Sequence, residues 1–280
     1  MTPRVTTDLV APGVERIALR TPTLPPATHT NSYLVGERDF VAVEPASPWP
    51  AEAHALALAV RERRARGHRL LGAVVTHHHR DHTGGAVAFR KTTGVGVRGH
   101  PITRAKLPSG VLDATPVDEG DPMLAALGVE VLHTPGHAPG HVCLWSPAHR
   151  WLIAGDMVAS VGTILIDPSD DGDMSAYLQQ LKRLIELNPR RLLPAHGDPI
   201  EPAVAHLEGY VRHRLAREAR VLDAVGATEV TGLMAIVARA YADTPPTLWP
   251  LAARSARAHL LRLARRGEVE AIGQDWRRHG

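Results

Sequence analysis

The run His77-x-His79-x-Asp81-His82 places four potential metal ligands within six positions. Imidazole and carboxylate are donors that Zn2+ accepts readily, and Mn2+ or Fe can replace it. In a loop leaving a strand, alternate residues can point to one side, so His77 and His79 can share one ion. Asp81 and His82, beyond the turn, can face a second. Three further candidates, His137, Asp156 and His196, each follow a turn-rich or apolar segment that ends a predicted strand. Side chains projected from strand ends on one sheet edge can converge without disturbing the core.

The elements that must position these residues are legible from periodicity. Val14–Leu19, Ser32–Val35 and Phe40–Val43 read as successive short strands separated by turn residues. Residues 50–66 read as a helix with Pro in its first turn and Ala53, Leu56, Ala57 and Val60 on one face. Leu70–Val75 reads as a buried strand ending directly in the histidine run. A helix to about Thr93 and strands at Val95–Arg98 and Val129–His133 follow. Next come a hairpin of Val142–Trp145 with Trp151–Ala154, a helix from Ser175 to Leu187, and a strand at Arg191–Leu193. Strands mixed with helices at this spacing predict a layered α/β structure.

A second unit begins near Glu201. The spacing predicts a long helix to about Val225, a second carrying Leu233, Ile236, Val237, Ala240 and Tyr241, and a third over Leu248 to Arg266. A short strand, Val269–Ile272, closes it. Helices followed by a small β-element suggest a winged helix-turn-helix arrangement.

The segments Thr76-His77-His78-His79-Arg80-Asp81-His82, Thr134-Pro135-Gly136-His137, Gly155-Asp156 and Pro194-Ala195-His196-Gly197 resemble, in this order, the motifs of the metallo-β-lactamase superfamily. The helical tail and Asn31-Ser32-Tyr33-Leu34-Val35 resemble its beta-lactamase-like protein 2 branch. The resemblance implies an α/β fold, a four-layer αβ/βα sandwich over residues 1–203, with a winged-helix-like domain over 204–280. It implies that His77, His79 and His137 hold one divalent ion and that Asp81, His82 and His196 hold another. Asp156 would bridge the two, since a carboxylate can span ions roughly 3.5–4 Å apart. Two positive charges would make a shared water nucleophilic near neutral pH, with Asp81 orienting it.

Other residues have plainer readings. His78 should point away from the ions, and His141 is read as structural. His100 and His133 lack motif support, and Arg80 reads as a solvated surface residue. Glu44 stands where the superfamily commonly has Asp, and is expected to accept a ligand histidine's second N–H. Asp167, Asp170, Asp171 and Asp173 read as negative charge ahead of a helix N-terminus. Cys143 reads as a small buried hydrophobe, and Gly84-Gly85 as a close-packed turn.

With one cysteine among 280 residues, intramolecular disulfides are excluded. No run of about 18 apolar residues occurs, and Met1 to Arg20 lacks the apolar stretch of a secretory signal, so a cytoplasmic protein is expected. Residues 210–280 carry 12 Arg against 7 acidic residues, a mildly basic tail. Physiological β-lactam hydrolysis is disfavoured, because those secreted enzymes typically lack the bridging aspartate. A flavodiiron-type redox site is disfavoured too, because such sites usually place Glu where His79 stands. The expected activity is hydrolysis of a (thio)ester or related acyl compound, with single-stranded RNA cleavage as the alternative. A non-catalytic role, with Arg254, Arg257, Arg262 and Arg265 contacting duplex DNA, ranks third.

Overall fold

The computed structural model describes residues 7–279, so the expected domain ends at Met1 and Gly280 lie outside the described residues. The chain divides into two compact units. The first comprises the residues up to Thr134 together with Gly140–Thr163 and Asn188–Val204. The second comprises Pro135–Pro139, Ile164–Leu187 and the chain from Ala205 onward.

In the first unit, β1 (Asp8–Ala11), β2 (Val14–Arg20), β3 (His29–Gly36), β4 (Asp39–Val43), β5 (Arg69–Val74) and β6 (Val97–Arg98) form one sheet in sequence order. Helix α1 (Pro50–Ala65) joins β4 to the parallel β5, and α2 (Arg80–Thr83) and α3 (Ala86–Thr93) follow β5. Two short helices, α4 (Pro101–Ala105) and α5 (Pro122–Ala125), lead to a second sheet. It contains β7 (Glu130–His133), β8 (Val142–Ser146), β9 (Trp151–Gly155) and β10 (Arg191–Pro194), in the order β10-β9-β8-β7.

Alternation along the strands builds two cores from one sheet. Tyr33, Val35, Val41 and Val43 pack with Val131, Leu144, Ile153 and Leu193 of the second sheet. Leu34, Phe40 and Ala42, facing the other way, pack with Leu56 and Val60 of α1 and Phe89 of α3. The first unit is therefore helices on a sheet on a sheet, with the two sheets joined by an apolar interior.

Parallel pairing decides where the chemistry lies. β4 and β5 run the same way, as do β9 and β10. Their C-terminal ends deliver Glu44, the histidine run, Asp156 and His196. Two hydrogen bonds knit this rim: Val142 N–H donates to Thr76 O at 2.9 Å, and Ala195 N–H to Gly155 O at 3.1 Å.

In the second unit, α6 (Met174–Glu186) buries Tyr177, Leu178, Leu181 and Leu184. Asp173 caps it, its Oδ1 accepting from Ser175 and Ala176 N–H at 2.7 and 3.1 Å. Helices α7 (Ala203–Ala224), α8 (Leu233–Ala240) and α9 (Trp249–Arg265) precede a hairpin of β11 (Val269–Ile272) and β12 (Asp275–Arg278). Val221, Ile236, Leu260, Leu263, Val269 and Trp276 form their shared core. Among the described residues, no helix is long and apolar enough to cross a membrane.

Three departures from the sequence expectations have physical causes. β1 and β12 are not foreseen, because Asp8–Ala11 is too short to show a period. Asp275–Arg278 carries three charges around one buried residue, Trp276. The strand expected from Val95 begins only at Val97, where pairing with Ala73 starts. The Arg residues of α9 read as candidate duplex-DNA contacts include three that pair with acids. Arg254 meets Asp167 at 3.2 Å, Arg265 pairs with Asp173, and Arg262 pairs with the buried Glu218.

Candidate metal centre

β5 ends at Val74, and the chain then turns through Thr76 into the histidine run, which closes in the single turn of α2. His79 is the N-terminal boundary of that turn, and Gly84 its C-terminal boundary. The glycine pair is a close-packed turn, as expected. A Cβ on Gly84 would lie 2.6 Å from Arg80 O, and one on Gly85 2.6 Å from both Pro45 O and Ser47 O.

Six of the expected ligands belong to the first unit, and its geometry gathers them. His77 Nε2 lies 2.9 Å from His79 Nδ1, and the ligand atoms of His77, His79 and Asp156 all lie within 4.8 Å of one another. Asp81, His82 and His196 form a second group within the same limit. His82 Nε2 is 3.8 Å from Asp81 Oδ2 and 3.6 Å from Asp156 Oδ1. His196 Nε2 is 3.6 Å from Asp81 Oδ2 and 3.3 Å from Asp156 Oδ1. Asp156 Oδ1 is thus common to both histidines.

These four separations test the donor set against a metal. They are longer than ordinary hydrogen bonds. Ligands about 2.0–2.2 Å from a tetrahedral ion stand roughly 3.3–3.6 Å apart, and three of the four separations match that spacing while the one from His82 to Asp81 is longer. Imidazole nitrogens and carboxylate oxygens are also the right donors. The residues present fit a divalent ion.

Tautomers agree. His196 Nδ1–H donates to His29 O at 2.9 Å, and His82 Nδ1 faces Glu44 Oε2 at 3.2 Å. Each ring, when neutral, then presents Nε2 as the ligand atom. His137 lies on the Pro135–Pro139 segment between β7 and β8, in the second unit. Its Nδ1–H donates to Leu165 O at 2.8 Å, which selects Nε2 in the same way. Thr134 N–H donates to His141 O at 2.8 Å, pinning the residues on either side of this segment.

The electrostatics favour positive charge. Burial pushes the His82 imidazole down, but Glu44, Asp81 and Asp156 outweigh it and hold it well above the usual range. Burial lowers His196 as well, and Asp156 reverses the sign. For Asp156 burial works upward, yet His196 and His82 hold its carboxyl well below the usual range. Such a pocket of buried carboxylates attracts cations.

Glu44 occupies the place expected of a supporting carboxylate. It is buried, with φ +58, a left-handed conformation rare for this residue type. Its Oε1 accepts from Thr76 N–H at 2.8 Å, and its own N–H donates to Val74 O at 2.9 Å. One side chain thus braces the start of the histidine run and sets its other oxygen beside His82 Nδ1.

His141, read as structural, has a defined task. Its Nε2 accepts from Asp156 N–H at 3.0 Å, and its Nδ1 meets Thr134 Oγ1 at 2.8 Å. Sequence reasoning missed a further group, in β3. Asn31 Nδ2 donates to Pro194 O and Gly197 O at 2.9 and 2.7 Å, and Tyr33 OH donates to Pro194 O at 2.6 Å. The motif is visible as Asn31-Ser32-Tyr33, but no spacing rule connects it to a loop some 160 residues away. His100 and His133 keep their plain readings. His100 Nδ1 accepts from Ile102 N–H at the start of α4, and its ring stacks on His133 with centroids 4.2 Å apart. Cys143 is fully buried, and Arg80 is exposed.

Residues 25–196 match the metallo-beta-lactamase superfamily, and residues 233–276 match the beta-lactamase associated winged helix domain. A beta-lactamase-like protein 2 homolog of Drosophila melanogaster is 30% identical over 208 residues, spanning 70% of this chain and 69% of that protein. A beta-lactamase domain protein from Burkholderia ambifaria superposes with a TM-score of 0.82 at 21% identity, covering 100% of this chain and 95% of that one. A metallo-beta-lactamase family protein from Thermus thermophilus gives 0.77 at 22% identity, covering 96% and 99%. With the His and Asp cluster at the sheet rim and the matched helical tail, the chain belongs to the metallo-beta-lactamase superfamily of hydrolases.

Proposed function

We propose that the protein is a dinuclear metal-dependent hydrolase acting on an ester, thioester or related acyl substrate. His77, His79 and His137 would hold one ion, Asp81, His82 and His196 the other, and Asp156 both. Zn2+ suits these donors best, with Mn2+ or Fe as substitutes. Bound divalent ions supply the Lewis acidity that makes water nucleophilic near neutral pH and stabilises an anionic oxygen. Asp81 orients the attacking water by accepting one of its hydrogens. Glu44 and His141 keep His82 and Asp156 in place while charge develops.

The observation that carries the acyl reading is the rim beside His196. Residues 21–28, between β2 and β3, and residues 157–163, after β9, contain no charged side chain. They meet each other: a Cβ on Gly162 would lie 2.9 Å from Pro26 Cδ. They also meet the His196 loop, where Ser160 N–H donates to His196 O at 3.1 Å. Leu24 and Val161 are exposed there. A neutral, apolar wall suits an acyl chain and offers no cation to a phosphodiester.

Elemental analysis of the purified protein, with an activity screen of acyl-thioesters, esters, lactones, β-lactams and single-stranded RNA, tests this directly. Two equivalents of metal and turnover of an acyl compound, little affected by salt, are expected. Turnover confined to RNA, falling steeply with added salt, would replace the acyl reading with the nucleic-acid alternative.

A further inference from the structure

β3 pairs with β2 along its whole length, from Val14↔Val35 to Arg20↔His29. Its pairing with β4 begins only at Tyr33↔Val43. The other edge of residues 29–32 is therefore left for something else, and the segment after β10 takes it. Asn31 N–H donates to Ala195 O at 2.7 Å, and Asn31 Nδ2 donates to both Pro194 O and Gly197 O. Tyr33 OH reaches Pro194 O as well, and His29 O accepts from His196 Nδ1. Burial pushes the Tyr33 hydroxyl up, so it remains a donor throughout the physiological range.

The pattern is specific to the backbone that carries one ligand. The carbonyls of Pro194, Ala195 and Gly197 accept from Asn31, and that of His196 accepts from Ser160. An asparagine amide has two donor hydrogens, and here both are spent on carbonyls three residues apart. Asn31 is only 2% exposed, so water cannot take over these bonds. Among the described residues, Gly197 O also accepts from Arg16 Nη1 at 3.4 Å.

We infer that Asn31, supported by Tyr33, is a positioning residue that sets His196 and with it one of the two ion sites. The inference rests on the proposed assignment of His196 as a ligand. Loss of the amide leaves β10 intact and frees the loop beyond it. His196 Nε2 then no longer holds its 3.3 and 3.6 Å spacings to Asp156 and Asp81. The His77 and His79 site, braced from β5, is untouched. Asymmetry between the two ions is the signature, because a general folding defect weakens both.

Calorimetric titration of Zn2+ into the chelator-treated full-length protein tests it, with thermal unfolding of each metal-free form alongside. In Asn31→Ala one site is expected to weaken about 10–100-fold while the other stays within about threefold. Tyr33→Phe, which keeps the ring, is expected to weaken the same site by a smaller factor. If Asn31→Ala fails to fold, the Tyr33→Phe result alone decides. Equal weakening of both sites, or of neither, in the folded variants overturns the inference. His196→Ala is the separate control on the ligand assignment: if it still binds two ions like the wild type, that assignment fails instead.

Discussion

The backbone N–H of Asp156 donates to Nε2 of His141 at 3.0 Å, in a buried bond at the rim of the second sheet. An amide N–H can only donate, so His141 Nε2 must be the acceptor and Nδ1 must carry the proton, which points at Thr134 Oγ1. Gly155 makes room for this bond, since a Cβ there would lie 2.4 Å from His141 Nε2.

Replacement of His141 therefore acts through Asp156. His141→Leu leaves a buried N–H unsatisfied, costing about 1–3 kcal/mol of stability, and is expected to lower metal affinity about 10–100-fold. His141→Gln can return an oxygen to the Nε2 position and should recover much of the loss. Denaturant melts and metal titrations of the two variants check this; equal defects in both would remove the acceptor argument.

Glu44→Gln probes the second brace. A glutamine can still accept from Thr76 N–H, but its amide then turns a donor toward the His82 Nδ1–H. The expected result is a fall of about 10–100-fold in affinity for at least one ion, with turnover reduced alongside. Unchanged metal content and turnover would show that the carboxylate does not support His82.

The second unit has its own buried charge cluster, in which Glu218 pairs with His259 and Arg262. Burial pushes this carboxyl up, but its partners outweigh that and hold it below the usual glutamate range. A depressed carboxyl contributes stability above its unfolded value, near pH 4.5, and loses it as pH falls through the folded value. Glu218→Gln should cost about 3 kcal/mol at neutral pH by leaving the Arg262 guanidinium unpaired. Urea melts should show the gap between wild type and variant narrowing below that pH.

Duplex DNA is not expected to bind. Arg254, Arg262 and Arg265 of α9 are committed to Asp167, Glu218 and Asp173, so they are poor anchors for phosphates. A mobility-shift assay with the full-length protein at physiological salt should show no discrete complex. A salt-sensitive shift lost on replacing these arginines would reverse this reading.

Much of this candidate site was legible because its proposed ligands are chemically unusual and locally spaced. The run from His77 to His82 declares itself, and the strand before each remaining ligand follows from apolar periodicity. The capping role of Asp173 and the burial of Cys143 followed from equally local rules. What stayed hidden depends on distant pairings. Asn31 and Pro194 meet only because β3 and the end of β10 share a rim, and His141 meets Asp156 through the antiparallel β8 and β9. The pairing of Arg254 with Asp167 is hidden for the same reason, since sequence shows a helix face but not what lies opposite. β12 escaped notice because its fold-bearing residue is one tryptophan among charges.

The loops that carry the proposed ligands spring from both sheets. Asp81 and His82 follow β5 in the first, whereas Asp156 and His196 follow β9 and β10 in the second. A cation held by this set would fasten the two halves of the sandwich, so prying the sheets apart means surrendering coordination bonds. Chelation should consequently loosen the apolar interior as a whole, with amide exchange quickening in Val41, Leu144 and Ile153, which lie within the strands.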